Sequence, residues 1–160
     1  MEKYRIELRW AFIFVLMMLI WMFLERLTGL HSTNIDYHPI FTNLILIPVI
    51  AIFVMALKDK RKNFYNGSMN YRQAFFAGLI ITIIVTVLNP LTQYFISTVI
   101  SPNFFDNAIN YAVENNKMTQ VDAEQYFNLK TYIIQGTLGS LIMGLVISTI
   151  VSLFIKSKSV

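Results

Sequence analysis

The chain has 160 residues, of which 56% are hydrophobic, and a formal net charge of +4 at pH 7. This composition leaves no room for a separate soluble domain, and the lack of cysteine excludes disulfides, thiolate metal sites and thiol nucleophiles. A basic protein can bind nucleic acid, but here the positions of the charges favour a surface that contacts anionic membrane lipids. We therefore predict a membrane protein that binds lipids and no nucleic acid.

Four apolar segments are long enough to cross a bilayer. A helix needs about 20 residues to cross a hydrocarbon core roughly 30 Å thick, and only Glu25 and Arg26 in these segments are charged. We predict an all-α polytopic protein, a single membrane domain with four transmembrane helices. The predicted spans are residues 10–30, 40–57, 73–100 and 131–155.

Most basic residues lie on one side of the predicted membrane. The two termini and the loop after span 2 hold ten of the 13 Lys and Arg residues. The positive-inside rule assigns such segments to the cytoplasm, so both termini are predicted to be cytoplasmic. The ten residues are Lys3, Arg5, Arg9, Lys58, Lys60, Arg61, Lys62, Arg72, Lys156 and Lys158.

Prolines are expected to bend two of the spans. Pro90 lacks the N–H that would bond to the carbonyl of Thr86, and Pro48 is expected to act in the same way near the middle of span 2. Bends of this kind can open cavities, although prolines are common in membrane helices.

Residues 101–130 are predicted to form a short amphipathic helical loop outside the membrane. Ser101 and Pro102 have the residue types of a helix N-cap and first helical position. Thr119 followed by Asp122 resembles a capping box, and the helix that it opens is expected to continue into span 4 without a break. The apolar face of this loop would lie either in the headgroup layer or over the ends of the spans.

Small residues recur at every fourth position of span 4. This spacing forms a ridge along which two helix backbones can approach closely. The partner would be another span of the same chain or a second copy, so a homodimer is one interpretation. The stripe consists of Gly136, Ser140, Gly144, Ser148 and Ser152.

Polar side chains form a stripe along one side of span 3, and span 2 contributes one more polar candidate. Such side chains are costly in lipid, so they are expected to face other helices. They would form either a hydrogen-bond network between spans 3 and 4 or a polar path for a ligand. The candidates are Asn43, Thr82, Thr86, Asn89, Gln93 and Ser97.

Glu25 and Arg26 are the only charged residues within a predicted span. Glu25 lies about 22 Å along a helix that starts at Trp10, which places it nearer the outer surface than the midplane. A carboxylate that couples transport to protons is expected near the midplane. We therefore expect the Glu25 side chain to reach toward the outer headgroups.

Neither a metal site nor an enzyme is predicted. His31, Asp36 and His38 could supply metal ligands from the first outer loop, but their spacing matches no recurring zinc site. The chain contains no nucleophile elbow, zinc-protease motif, phosphate-binding glycine loop or intramembrane acid pair. We therefore predict no catalytic residues, no metal and no cofactor.

Several stretches resemble a family of bacterial membrane proteins, domain of unknown function 4199. Tyr71, Ala74, Phe75 and Gly78 match its entry to the third span, and the Ser-Pro-Asn-Phe step at 101–104 follows that span. The resemblance also includes a helical outer segment and a Gly-rich last span that ends in lysines. It implies four transmembrane helices in a bacterial envelope, here the inner membrane, and supplies no activity or site residues. The matching stretches are 70–106, 118–127 and 136–158.

Two functions fit this pattern. The first is a non-enzymatic scaffold or binding protein for lipid or another membrane protein, which the small-residue stripe and the Phe-bearing outer helix suggest. The alternative is a small transporter or channel with Asn43, Asn89 and Gln93 along a path beside the two prolines.

Overall fold

The computed structural model describes residues 4–157, and every regular element within them is helical. Short 3₁₀ turns at Ile35–Tyr37 and Thr42–Ile45 flank the second helix, and a π-turn at Ile96–Ile100 follows the fourth. Lys3 and Lys158, which contribute to the charge pattern, lie outside the described residues. The α-helices are α1 Arg5–Leu27, α2 His38–Phe41, α3 Leu46–Asn63, α4 Tyr71–Phe95, α5 Phe104–Glu114, α6 Gln120–Tyr126 and α7 Leu129–Ile155.

Four helical segments within this part of the chain are long and apolar enough to cross a membrane. This confirms the predicted all-α class with four spans. Each segment is longer than the corresponding apolar run because flanking residues, some of them charged, continue the helix. They are Arg5–Leu27, Ile35–Asn63, Tyr71–Ile100 and Leu129–Ile155.

The first span ends in a tight turn centred on Gly29. Its φ of 78° lies in the left-handed region, where glycine is favoured. The N–H of Leu30 donates to the carbonyl of Glu25 at 3.0 Å, and the N–H of Gly29 donates to the carbonyl of Arg26 at 3.1 Å. These two bonds define a Schellman motif, which stops the helix and turns the chain back toward it.

The segment between the third and fourth spans differs from its prediction at its start. Asn103, not Ser101, is the residue that precedes α5, and its side chain makes no capping bond. The Ser101 hydroxyl instead lies 2.6 Å from Nδ1 of His31. The Ser101 side chain was expected to cap the helix, but it makes a tertiary contact with His31 instead.

The expected continuous helix into span 4 is wrong. Thr119 caps α6 as predicted, since its hydroxyl accepts from the N–H of Asp122 at 3.2 Å. However, α6 ends at Tyr126, and Oδ1 of Asn128 accepts from the N–H of Thr131 at 2.9 Å. Asn128 thus starts a new helix, because its short amide competes with the backbone for hydrogen bonds.

The two prolines occupy different positions. Pro90 lies inside α4, as predicted. Pro48 is the third residue of α3 and lies near the middle of the helical span Ile35–Asn63. The 3₁₀ turn Thr42–Ile45 directly precedes α3, so the α-helical geometry of this span is interrupted just before Pro48.

The chain divides into two compact units, each with parts of all four spans. Unit 1 contains the described parts of Met1–Met17, Leu46–Leu88 and Leu138–Val160. Unit 2 contains Met18–Ile45 and Asn89–Thr137.

In unit 1, α4 and α7 approach closely along the small residues of span 4. A Cβ on Gly144 would lie 2.4 Å from Cγ2 of Thr82, and one on Gly78 would lie 2.7 Å from Oγ of Ser148. Thr82 and Ser148 are buried, and their hydroxyl oxygens are 3.4 Å apart. This part of the stripe therefore packs against α4 of the same chain.

Gly144→Ala should destabilise the protein because its new methyl group would overlap Thr82. Overpacking of this kind costs roughly 1–3 kcal/mol. Gly139→Ala on the same helix is the matched control, since its added Cβ would meet nothing within 4 Å. The higher helix propensity of Ala should leave the control as stable as the wild type or more stable, by up to about 1 kcal/mol. Thermal unfolding in detergent measures both, and equal melting temperatures would contradict the close approach.

Candidate functional sites

A cavity of about 370 Å³ in unit 1 combines cationic and apolar lining residues. Lys60 and Arg72 line it, with the hydrogen-bonding side chains of Tyr65 and Gln73. Phe76 and Ile80 also line it. The cavity therefore offers charge, hydrogen bonds and apolar surface together.

The lining residues on α4 are arranged as one ridge. Arg72, Phe76 and Ile80 are four residues apart, so they share a face of the helix. Arg72 is the second residue of α4, whereas Ile80 lies a further eight residues along it. The lining thus changes from charged to apolar as the helix proceeds into its span.

A buried ion pair lies at the edge of this cavity. Nζ of Lys60 lies 2.9 Å from Oε1 of Glu7 and 3.0 Å from Oε2, and both residues are at most 3% exposed. The ammonium group also lies 3.7 Å from the centre of the Phe64 ring. Removing either partner would leave the other charge buried and unpaired, which is costly.

Sequence reasoning did not single out Glu7. Glu7 precedes the first predicted span and belongs to no motif, so its burial on α1 is apparent only in the structure. Nearby, Asp59 accepts hydrogen bonds from Arg9 and from Nε1 of Trp10, the latter at 2.6 Å. Two carboxylates of unit 1 therefore neutralise basic residues that the charge pattern had assigned to the membrane surface.

Unit 2 contains a second cluster, formed by Glu25, His31 and His38. Oε2 of Glu25 lies 3.1 Å from Nε2 of His31 and 3.5 Å from Nε2 of His38. Its other carboxylate oxygen accepts a hydrogen bond from Nε1 of Trp21 at 2.6 Å. Glu25 is 3% exposed and His31 is 5% exposed. The expectation that Glu25 reaches toward the headgroups is therefore wrong: the histidines and Trp21 hold it inside the protein.

Asp36 and Arg26 lie outside the cluster of Glu25, His31 and His38. Asp36 is exposed and belongs to neither the carboxylate–histidine group nor its cavity. Arg26 donates from Nη1 to the carbonyl of Ile100 at 2.5 Å. Residues adjacent on a helix point about 100° apart, so Glu25 and Arg26 have different partners.

The polar residues of spans 2 and 3 have separate partners. Thr86 lies 3.1 Å from the Ser140 hydroxyl in unit 1. In unit 2, the Asn89 amide donates to the hydroxyl of Thr137 at 3.1 Å. Asn43 is exposed and donates to the carbonyl four residues earlier on its own span. Asn43 therefore contributes to no continuous polar path.

Gln93 and Ser97 occupy a different environment. The Gln93 amide donates to the Ser97 hydroxyl at 3.2 Å, and both residues line a cavity of about 160 Å³. His31 and His38 line the same cavity. The sequence placed these four residues in two unrelated groups, and the fold of unit 2 brings them together.

The remaining small residues of span 4 are also covered within the chain. A Cβ on Gly136 would lie 2.9 Å from Nδ2 of Asn89, so this glycine packs against α4 in unit 2. Ser152 in unit 1 is fully buried, and its hydroxyl has no hydrogen-bond partner among residues 4–157.

These features define a small multi-pass membrane protein with charged groups buried between its helices. The chain belongs to the family described as protein of unknown function (DUF4199), whose model matches residues 9–157. This confirms the resemblance recognised in the sequence. Searches of curated proteins and of solved structures found no match.

Lys60→Met should strongly destabilise the protein because it leaves the Glu7 carboxylate buried without a cation. Breaking a buried pair in this way costs about 3–5 kcal/mol. The double variant Glu7→Gln/Lys60→Met, which carries neither charge, should recover much of this loss. Chemical or thermal unfolding in detergent provides the comparison. If the single and double variants were equally unstable, the pairing would not be the source of the loss.

Proposed function

We propose that the protein is a non-enzymatic lipid-binding protein of the bacterial inner membrane, with an anionic phospholipid as its ligand. The supporting observation is the cavity of unit 1, where cationic side chains lie beside the ridge formed by Arg72, Phe76 and Ile80. A phospholipid has the same two parts, a charged headgroup and an apolar chain.

Arg72 is the residue suited to the phosphate. Lys60 is already paired with Glu7, whereas Arg72 is exposed and forms no ion pair within the described part of the chain. A guanidinium can donate two parallel hydrogen bonds to phosphate oxygens. Tyr65 and Gln73, which also line the cavity, have further groups that can donate to the headgroup.

Phe76 and Ile80 suit the acyl chain. Phe76 is 58% exposed, and it lies one helical turn beyond Arg72. A chain that followed this ridge would leave the headgroup at Arg72 and extend along the apolar part of α4. The small-residue stripe of span 4 packs within the chain, so the proposal includes no homodimer.

The predicted topology agrees with this ligand. Lys60 near the end of α3 and Arg72 at the start of α4 belong to the basic segment that the positive-inside rule assigns to the cytoplasm. Juxtamembrane Lys and Arg residues are attracted by the anionic lipids of the cytoplasmic leaflet.

Arg72→Gln should weaken the binding of phosphatidylglycerol by roughly tenfold or more, since a hydrogen bond to a charged group contributes about 1.5–3 kcal/mol. Lys62→Gln is the matched control, because Lys62 near the end of α3 is exposed in the same basic segment and does not line the cavity. Its loss should remove only the weaker general attraction to anionic lipid. Native mass spectrometry with phosphatidylglycerol and phosphatidylcholine of equal chain length measures lipid retention.

Two results would contradict the lipid proposal. One is an equal retention of both lipids by the wild type, and the other is an equal effect of Arg72→Gln and Lys62→Gln. Competition with sn-glycerol 3-phosphate separates a lipid site from a site for soluble phosphates. Phe76→Ala should weaken lipid binding without changing the weak binding of the soluble compound.

A small transporter is the second candidate function. It is supported by the cavity of unit 2, which Gln93 and Ser97 line together with His31 and His38. Polar and ionisable groups within membrane spans commonly mark the paths of ions or substrates.

The transport candidate predicts flux of protons or cations in proteoliposomes that exceeds the flux of empty liposomes. Gln93→Leu should abolish it by placing an apolar side chain in the cavity. Asn43→Leu is the control, since Asn43 is exposed and does not line the cavity. Fluorescent dyes for pH and for divalent cations give the rates. Wild-type flux no greater than that of empty liposomes would reject transport.

A further inference from the structure

We propose that Glu25, His31 and His38 bind one divalent transition-metal ion of the zinc class. One ligand atom of each residue lies within 4.8 Å of the ligand atoms of the other two. Two imidazoles and one carboxylate are a donor set that zinc and its neighbours in the first transition series accept. The group is also largely buried, because Glu25 and His31 are buried and the His38 side chain is 21% exposed.

The distances within the cluster suit a tetrahedral ion. Oxygen and nitrogen ligands bind zinc at about 2.0–2.1 Å, so two ligands of one tetrahedral ion are about 3.3 Å apart. Oε2 of Glu25 lies 3.1 Å from Nε2 of His31 and 3.5 Å from Nε2 of His38. The ligand atoms of the two histidines lie within 4.8 Å of each other. Side-chain rotations that bring the two imidazoles to the tetrahedral spacing would place all three atoms around one ion.

Second contacts hold two of the three ligands in place. Nδ1 of His31 lies 2.6 Å from Oγ of Ser101. An imidazole that binds metal through Nε2 carries its hydrogen on Nδ1, and here that hydrogen would be donated to Ser101. Oε1 of Glu25 accepts from Trp21, which leaves Oε2 for the ion. Metal ligands are commonly oriented by outer contacts of this kind.

The backbone of unit 2 brings the ligands together. Glu25 lies in the last turns of α1, and the Schellman motif at Gly29 reverses the chain so that His31 returns to the carboxylate. Nδ2 of Asn107 donates to the carbonyl of His31 at 2.8 Å and holds the returning loop. The Phe104 ring packs 5.0 Å from the His31 ring and 5.2 Å from the His38 ring, measured between ring centres.

A tetrahedral ion with three protein ligands has one position left. His31 and His38 line the cavity of about 160 Å³ in unit 2, which Gln93 and Ser101 also line. Water or another small ligand in this cavity would complete the coordination, as in zinc sites with three protein ligands. The site is therefore expected to exchange its ion with added metal.

The first experiment measures zinc binding by the untagged full-length protein in detergent, after its metals are removed with a chelator. Elemental analysis gives the stoichiometry, and competition with a chromophoric chelator gives the affinity. The expected result is one Zn²⁺ per chain. Replacing an outer contact of a metal site costs about 10–100-fold in affinity, so loss of a ligand in His38→Gln should cost at least roughly 100-fold.

Two further variants separate a specific site from general effects. Asp36→Asn is the matched control, because Asp36 is an exposed acidic residue of the same loop and lies outside the cluster. It should bind zinc as the wild type does. Ser101→Ala should weaken binding by roughly tenfold, because it frees the His31 ring without removing a ligand.

Cobalt(II) gives a second readout that does not depend on competition. Its visible absorption is strong in tetrahedral sites, so it should appear in the wild type and in Asp36→Asn and be absent in His38→Gln. Zinc should also raise the melting temperature of the wild type by mass action. His38 is the most exposed of the three ligands, so His38→Gln remains informative if Glu25→Gln or His31→Ala fails to fold.

Two outcomes would overturn the metal proposal. One is that the wild type retains no zinc, and the other is that Asp36→Asn and His38→Gln lose zinc equally. Either result would leave the cluster as a buried carboxylate held by hydrogen bonds to His31 and Trp21, with His38 3.5 Å away. The phospholipid proposal rests on the cavity of unit 1 and would be unaffected.

Discussion

A helix that crosses the apolar core of a membrane meets almost no water, so each polar side chain within it needs a partner in the protein. Most contacts described above follow from this constraint. Thr82 and Thr86 face the serines of α7, Asn89 bonds to Thr137, and Glu25 is held by two histidines and Trp21. The threonine–serine contacts form only where the backbones of α4 and α7 come close, because these side chains are short.

Glycine supplies that close approach. Gly78 and Gly144 lie opposite Ser148 and Thr82 at distances that a Cβ would make shorter than any normal contact. The absent side chains let α4 and α7 approach until the two hydroxyl groups are within reach of each other. Packing and hydrogen bonding in unit 1 therefore depend on the same glycines. Replacing them would crowd the two helices and also separate the hydroxyl groups.

Two buried carboxylates are stabilised in chemically different ways. Glu7 has a permanent cation, Lys60, beside a cavity whose lining changes from charged to apolar along α4. Glu25 has two imidazoles, which can either donate hydrogen bonds or act as metal ligands. The first arrangement resembles a surface for an amphiphile, and the second has the donor set of a metal site. Both carboxylates are buried within the protein, which explains how both are tolerated on α1.

Local patterns determined the helices. The lengths of the apolar runs predicted four spans, Thr119 predicted the start of α6, and the spacing of Gly144 and Ser148 predicted a packing ridge. Each of these depends on residues within a few turns of one another. Only the tertiary structure decided which side chains meet. The turn at Gly29 returns His31 to Glu25, Ser101 bonds to that histidine instead of capping α5, and Lys60 reaches Glu7 from another helix. Residues so distant along the chain meet through the path of the backbone and the direction of each side chain, which hydropathy and periodicity do not encode.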